Sequence, residues 1–447
     1  MSQHDPDALR APTIDAKGRR RWIYPDRRSG PKSRRRGLVA SLLLVLYLLA
    51  PFLSIQGMPL IRFAVLEGII YVFGQSFRFA DGSYVVFVLL TAALTLGFVT
   101  SIWGRVWCAY GCPQTVFVEW VIRPIEELVE GPAHKRRRQD AGRWNLSLLG
   151  RKVLKHLLFI LVIWGVSNAF LAYFIDPKTL WHWVQSSPSQ HPWAFGFMVF
   201  CFLALFFDLV WFREQFCSFL CPYARFQSLM MGFTTPTITY DKQRGEPRGK
   251  RSKTGDCIDC GLCIRVCPTG IDIRDGLQLE CIQCGRCADA CDTVMSTLKR
   301  KSGLIRYTSE ANISGAKVRK FRLRPAVYLV LVLINLGLLS YNVGTREALK
   351  VTITRQPGST YTQMGPHEIA NYFALRVVNQ QHTAQNFTLR LVPGVRVICS
   401  ICGRTIEANE ELRGNLVVII DKRLIGNEVI LRRDASEEEY KLPLLAP

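Results

Sequence analysis

The 447-residue chain holds fifteen cysteines, and their spacing carries the first inference. One segment reads Cys257-Ile-Asp-Cys260-Gly-Leu-Cys263-Ile-Arg-Val-Cys267-Pro268, and a second reads Cys281-Ile-Gln-Cys284-Gly-Arg-Cys287-Ala-Asp-Ala-Cys291-Asp292. Each is the C-x2-C-x2-C-x3-C run of a bacterial two-cluster ferredoxin. Three thiolates in a tight loop reach three irons of one cubane. The fourth, at the start of a helical turn, points away and completes the neighbouring cluster. The pattern therefore predicts one 4Fe–4S cluster on Cys257, Cys260, Cys263 and Cys291, and a second on Cys281, Cys284, Cys287 and Cys267. Two zinc sites would also use eight thiolates, but this run is unusual for zinc, and a reducing cytoplasm disfavours disulfides. The copies differ after their last cysteine. Pro268 fixes the turn there and Asp292 does not, so looser surroundings or a shifted potential are expected at one cluster. Electron transfer, rather than stapling of the chain, is the direct inference.

Two further pairs form an internal repeat: Trp107-Cys108-Ala-Tyr-Gly-Cys112-Pro113-Gln114 and Phe216-Cys217-Ser-Phe-Leu-Cys221-Pro222-Tyr223. Both are C-x3-C-P, both follow an aromatic residue, and amphipathic stretches follow at 115–128 and 224–232. Pro113 and Pro222 suit the first position of a helix, which places Cys112 and Cys221 at its N-cap. A helix N-terminus favours thiolate, and Arg105, Arg213 and Arg225 push the same way. Three readings stay open. The four thiols form redox-active dithiols or contact Cu(I), which prefers soft ligands; they share a third cluster; or they are small helix-end residues without chemistry.

The elements that must carry these groups are apolar. Runs at 38–55, 84–104, 157–175, 193–212 and 325–344 are long enough to span or nearly span a bilayer, the first carrying Pro51 and the fourth Asp208. The run 63–74, interrupted by Glu67, is expected to be an interfacial or re-entrant piece. Each C-x3-C-P motif then closes a span.

Basic residues set the orientation. Eleven Lys or Arg precede the first run, ten lie in 105–156 and twenty in 213–324, whereas the other two loops hold only Arg62, Arg78 and Lys178. This places the N-terminus and both cysteine-bearing loops in the cytoplasm and the C-terminal domain outside. Composition agrees: 49% hydrophobic residues exclude a disordered chain, and a net charge of +22 needs no nucleic acid once the arginines serve topology and lipid contact. The tail is not a cleavable signal peptide, because its apolar run starts too late.

Taken together the residues resemble the FixG/CcoG family of membrane ferredoxins, the cytochrome c oxidase accessory proteins. The resemblance is carried by Arg105-Val-Trp-Cys108 through Cys112-Pro-Gln-Thr115, Glu214-Gln-Phe-Cys217 through Cys221-Pro-Tyr-Ala-Arg-Phe-Gln227, Gly245-Glu-Pro-Arg-Gly249, Gly255-Asp-Cys-Ile-Asp-Cys260, Cys267-Pro-Thr-Gly-Ile-Asp-Ile-Arg-Asp-Gly276 and Gly303-Leu-Ile-Arg-Tyr307. It covers nearly the whole chain. It implies a multi-domain bacterial inner-membrane protein with five spans, a cytoplasmic two-cluster ferredoxin domain and a periplasmic immunoglobulin-like β-domain. The boundaries read as a basic tail 1–37, a membrane region 38–232, the ferredoxin domain 233–324, a fifth span 325–344 and the β-domain 345–447. It also implies reduction of Cu(II) to Cu(I) for a high-affinity cytochrome c oxidase, with oxidase subunits and copper-delivery proteins as partners, an unnamed cytoplasmic electron donor, and a homodimer as one admissible assembly. The C-x3-C-P repeat is similar to that of NapH-type ferredoxins, so quinone-linked electron transfer is the rival, and a non-enzymatic assembly scaffold the second.

After 344 the pattern turns to alternating strands at 351–354, 372–378, 387–391, 395–398, 416–420 and 428–432, read as a β-sandwich and a docking module. Cys399 and Cys402 in it are either a local disulfide or a copper-contacting pair. Met58, His182 and His191 are outward-facing copper candidates, with Trp181 and Trp183 suiting an aromatic belt. His156 is a candidate for a quinone or metal role. Asp208 inside a span is a functional candidate, a pairing with Arg213 being the structural alternative.

Overall fold

The computed structural model describes residues 13–14, 17–55, 57–65, 68–78, 82–143, 145–249, 255–316, 322–345, 349–358, 361–365, 367–379, 383–390, 395–407, 410–421, 428–433 and 439–443. Glu67 and the end of the strand expected at 387–391 lie outside them. Two compact units divide between Leu339 and Ser340, inside the fifth apolar helix.

Five helices are long and apolar enough to cross a membrane: Pro31–Phe52, Tyr84–Trp103, Leu146–Leu171, Pro192–Phe212 and Leu323–Gly344. Leu38, Leu89, Leu161, Phe200 and Leu333 stand exposed on them, as lipid-facing side chains do. The chain is a multi-pass membrane protein. The first helix starts seven residues before the apolar run, with Pro31 in its first turn. The third starts at Leu146, where the Asn145 side chain accepts the Leu148 N–H at 2.7 Å. It begins early because Lys152 and Lys155 are not at a free end: both reach the buried Glu130, at 3.0 and 2.8 Å.

The third and fourth helices enclose a core of Phe159, Ile163, Val166 and Leu209, closed by Phe117, Val118 and Ile122. The fifth is tied to the second by Asn335, whose buried amide donates to Phe87 O at 3.0 Å and Thr91 Oγ1 at 2.6 Å. Such polar ties hold apolar helices together where water-driven burial cannot.

The segment expected to be interfacial or re-entrant is part of an antiparallel meander of Ile61–Ala64, Ile69–Val72 and Gln75–Arg78. Its apolar residues are too few for a helix of membrane length. Gly68 and Gly74, at φ +67° and +77°, supply the left-handed turns that fold it back.

The cysteine runs sit in a small α/β fold. Strands Thr237–Tyr240 and Ile305–Thr308 pair antiparallel with Thr237 opposite Thr308, and helices Leu262–Arg265 and Arg286–Thr297 follow the two loops. The difference between Pro268 and Asp292 has a plain consequence. The first helix lasts one turn and stops ahead of the proline, whereas the second runs twelve residues through Asp292. Asp292 is not loose: its Oδ1 accepts the Gly303 N–H at 2.7 Å.

The C-terminal unit is all β. Its main sheet runs Val395–Cys399, Glu411–Asp421, Glu368–Asn379, Leu349–Arg355, with Tyr361–Gln363 also paired to Glu368–Asn379. Glu428–Arg433 belongs to a second, three-stranded sheet. Alternate residues Phe373, Leu375 and Val377 meet Leu416, Val418, Phe387 and Ile406 in one core. Cys399 and Cys402 form a disulfide with an S–S distance of 2.07 Å, so the copper-pair alternative falls: neither sulfur is available as a thiolate. Alkylation of the unreduced chain is expected to miss both cysteines and to label both after reduction. Labelling before reduction would refute the bond.

Candidate redox site

The two cysteine loops share an unusual backbone. Asp259 and Gly261 in one, and Gln283 and Gly285 in the other, adopt positive φ at matching positions around the second cysteine. Two left-handed residues per loop wind the chain around a central space and draw its cysteines inward. The sulfurs come together as the spacing requires. Cys257, Cys260, Cys263 and Cys291 line one cavity, and Cys267, Cys281, Cys284 and Cys287 line its neighbour. Cys263 lines both. Burial pushes the free thiols up, Cys263 to about 11 and Cys281 and Cys291 to about 12, so only a bound metal would keep them ionised at neutral pH. Two sets of four thiols crossed over between the two runs, buried or half-buried with only Cys260 exposed, fit two iron–sulfur clusters.

The C-x3-C-P repeat folds as expected at its helix starts. Cys112 is the N-cap of Pro113–Phe117 and Cys221 of Pro222–Met230. The two copies are tied crosswise. After the first motif, Gln114 Nε2 donates to Asp208 Oδ1 at 3.1 Å and Arg213 O at 2.9 Å, ahead of the second. After the second, Gln227 Nε2 donates back to the Cys108 sulfur at 3.3 Å, and the Tyr223 hydroxyl meets Thr100 Oγ1 at 2.7 Å. Cys217 is within electrostatic reach of Cys108, Cys112 and Cys221, so the four thiols form one group.

The first cysteine of each motif is held as a thiol. Burial drives Cys108 up to about 11, against the opposing Gln227 hydrogen bond, and drives Cys217 up as well. Two of the arginines expected to help also serve other groups. Arg213 Nη2 donates to Glu126 at 2.7 Å. Arg105 Nη2 donates to Ala224 O at 3.1 Å, and its Nη1 to Leu279 O and, at 3.3 Å, Cys281 O. The proposed pairing of Asp208 with Arg213 is also absent, since Gln114 holds the carboxylate.

The thiol group and the second cysteine cage are adjacent. Cys217 shares a cavity with Pro268, Thr269 and Ile282, which flank Cys267 and Cys281. The Arg105 N–H donates to Gln283 Oε1 at 2.9 Å. Gly104 is required at this contact: its φ is +66°, and a Cβ there would lie 2.7 Å from that same oxygen.

Three sets of residues escaped the sequence reading. Asp289, between Cys287 and Cys291, accepts the Ser33 N–H at 3.0 Å and pairs with Lys32 at 3.3 Å, docking the start of the first apolar helix on the cluster helix. Arg36 was expected to serve topology. It is instead fully buried, donates from Nε to Ala109 O at 2.9 Å, and leaves Nη1 and Nη2 without a partner. Its signal was the small-residue face it shares with Ser33 and Ala40, which are also buried. The third set is the buried charge stripe Glu119, Arg123, Glu126 and Glu130. The amphipathic pattern was legible, but the charged face points inward. Glu119 pairs with Arg123 and with Arg286 at 2.7 Å, and Arg123 pairs with Glu214 at 3.4 Å and donates to Pro268 O at 2.8 Å.

The other candidates stand apart. The His156 ring nitrogen Nδ1 contacts Lys152 O at 2.7 Å, and His191 packs on Trp183 with ring centroids 5.5 Å apart. Met58 lies in a two-residue strand. His182 sits in the helix Pro177–Gln185, its carbonyl accepting the Ser186 hydroxyl. Among the described residues, none of these joins a group that could hold a single metal ion.

A 4Fe–4S dicluster domain model matches residues 212–255 and 248–310, a 4Fe–4S binding domain model matches 85–137, and a model for the IG-like fold at the C-terminus of FixG matches 339–434. Protein RdxB of Cereibacter sphaeroides is 33% identical over 436 residues, covering 90% of both chains. The chain belongs to this FixG- and RdxB-type family of membrane iron–sulfur proteins. RdxA of the same organism is 34% identical, covering 82% of this chain and 81% of its own. The nitrogen fixation protein FixG of Rhizobium meliloti is 36% identical over 65% of this chain and 58% of its own. No solved structure matches. Family membership and the cysteine cages make the protein an iron–sulfur electron-transfer oxidoreductase, with an immunoglobulin-like C-terminal domain.

Proposed function

We propose that the protein takes electrons from a reduced cytoplasmic donor and delivers them, through the C-x3-C-P thiols, to Cu(II), supplying Cu(I) for a high-affinity cytochrome c oxidase. Bound clusters supply reversible one-electron transfer. Cys257, Cys260, Cys263 and Cys291 hold the first, and Cys281, Cys284, Cys287 and Cys267 the second. Cys108, Cys112, Cys217 and Cys221 form the exit station. The observation that supports this reading is the shared cavity of Cys217 with Pro268, Thr269 and Ile282, the neighbours of the cage ligands Cys267 and Cys281. Arg105 and Gln283 hold the two together.

The charge asymmetry of the loops supports a bacterial inner-membrane placement, with the N-terminus and ferredoxin domain in the cytoplasm and the β-domain in the periplasm. The disulfide between Cys399 and Cys402 fits that compartment. Oxidase subunits and copper-delivery proteins are the proposed partners, and a homodimer is compatible with this arrangement.

The test uses anaerobically purified protein, reduced and freed of reductant, to which Cu(II) and a Cu(I)-specific chelator are added. Cluster bleaching matched one for one by Cu(I) is expected, and it should be lost when Cys108, Cys112, Cys217 and Cys221 become Ser. Clusters untouched by Cu(II) but oxidised by a quinone analogue would sink the copper reading in favour of the quinone-linked relay. Normal oxidase maturation after Cys284→Ser would favour the scaffold.

A further inference from the structure

We propose that Cys108, Cys112, Cys217 and Cys221 together ligate a third iron–sulfur cluster of the 4Fe–4S class, each C-x3-C-P motif supplying half of its thiolates. The two stretches that match 4Fe–4S models here, 85–137 and 212–255, contain two cysteines each. Neither alone could fill the four corners of a cubane. Folding brings the halves face to face, with Cys217 in electrostatic reach of the other three.

Both halves are built as rigid ligand loops. The crosswise ties of Gln114 and Gln227 fix each motif to the element carrying the other, which a shared multi-iron centre requires. Gln227 is fully buried and aims its amide at the Cys108 sulfur, as N–H donors do around cluster thiolates. Each pair ends in Cys-Pro, as the first ferredoxin run does at Cys267-Pro268. The position also suits the task, since Cys217 and the flank of the second cage line one cavity.

This deepens the relay reading and rests on it only for the direction of flow. One electron arrives from the second cluster and one leaves to one Cu(II), giving one Cu(I), with no bond made or broken in the protein and no proton moved. Cu(II) is then an outer acceptor and not the occupant of the thiols.

The test is the iron and acid-labile sulfide content of the full chain, purified anaerobically in detergent. About twelve of each per chain are expected, and about eight in Cys108→Ser/Cys221→Ser. Cys201→Ser, altering the buried cysteine within the fourth span, should keep about twelve. In the reduced protein an electron paramagnetic resonance component should vanish in the double variant while the ferredoxin signals persist. About eight irons in the unaltered chain, with the four thiols open to alkylation or taking up added Cu(I), would overturn the third cluster and leave the two-cluster relay standing. The unaltered chain decides the matter even where the double variant does not accumulate. Failure of the relay reads differently, as ferredoxin clusters that Cu(II) does not oxidise whatever the iron count.

Discussion

Arg36→Met is expected to lower the midpoint potential of the second cluster and leave that of the first unchanged. Arg36 is fully buried, with two guanidinium nitrogens lacking a partner, and lies in electrostatic reach of Cys284. Arg286 lies there too, with Nε and Nη1 without a partner and Nη2 on Glu119. Unsatisfied buried cation donors cost several kcal/mol, so a site that retains two of them beside one thiol set is built for an anion. A reduced cluster carries one more negative charge than an oxidised one, and a fixed cation favours it. The first cage is surrounded differently. Asp272 lies near Cys263 and Asp292 near Cys291, and the Arg274 guanidinium there is held by Asp272 and Asp259.

The contrast makes the second cage the more favourable site for the added electron, so transfer from the first cage to the second would run downhill. Removing one cation should shift electron sharing between the clusters by roughly tenfold, which is about 59 mV for a one-electron couple. A spectroscopic redox titration resolves the two. Arg36→Lys keeps the charge and should recover most of the shift, whereas a role limited to the hydrogen bond with Ala109 O predicts no change of potential in either variant.

Much of this was legible in the chain, for identifiable reasons. Cluster ligands follow a covalent rule, since four sulfurs must meet around a cubane of fixed size. The spacing of Cys257 to Cys291 therefore predicts the cages before any fold is known. Helix length and loop charge follow bilayer thickness and field in the same way.

The environment of the cages was less legible, because it is made by residues far apart in sequence. Arg36 and Cys284 meet only when the first helix docks through Asp289. In a string of basic residues beside a span, nothing local separates Arg36 from the neighbouring Arg34 and Arg35, which are not buried. The thiol character of Cys108 was hidden for the same reason. Helix ends and nearby arginines are local features, but burial of Cys108 and the diversion of Arg213 to Glu126 are tertiary.

Glu126→Gln is expected to destabilise the membrane unit by about 3–5 kcal/mol, the range for removing one partner of a buried ion pair. Glu126 takes Arg213 at 2.7 Å through one oxygen and Arg136 at 2.5 Å through the other, and all three side chains are buried. The amide would take from both guanidiniums the carboxylate they are hydrogen-bonded to. The pH dependence gives an independent sign. Burial alone would raise the Glu126 carboxyl, but Arg213 and Arg136 overcome it and hold it down at about 2, from 4.5. A carboxyl depressed by folding contributes stability that is complete above its unfolded value. That stability is lost as pH falls from about 4.5 toward 2. The depression corresponds to about 3 kcal/mol, in line with the ion-pair estimate. Thermal unfolding in detergent across this window should show an acid limb in the unaltered protein that is weaker in Glu126→Gln, whose melting point should already be lowered at neutral pH. Equal melting points at neutral pH would mean that Arg213 and Arg136 find other acceptors, and the stripe that joins the C-x3-C-P helices to the ferredoxin cage would then be only a surface of contact. A large loss at neutral pH, with unchanged cluster potentials in the protein that remains folded, would assign the stripe to docking and leave the tuning to Arg36 and Arg286.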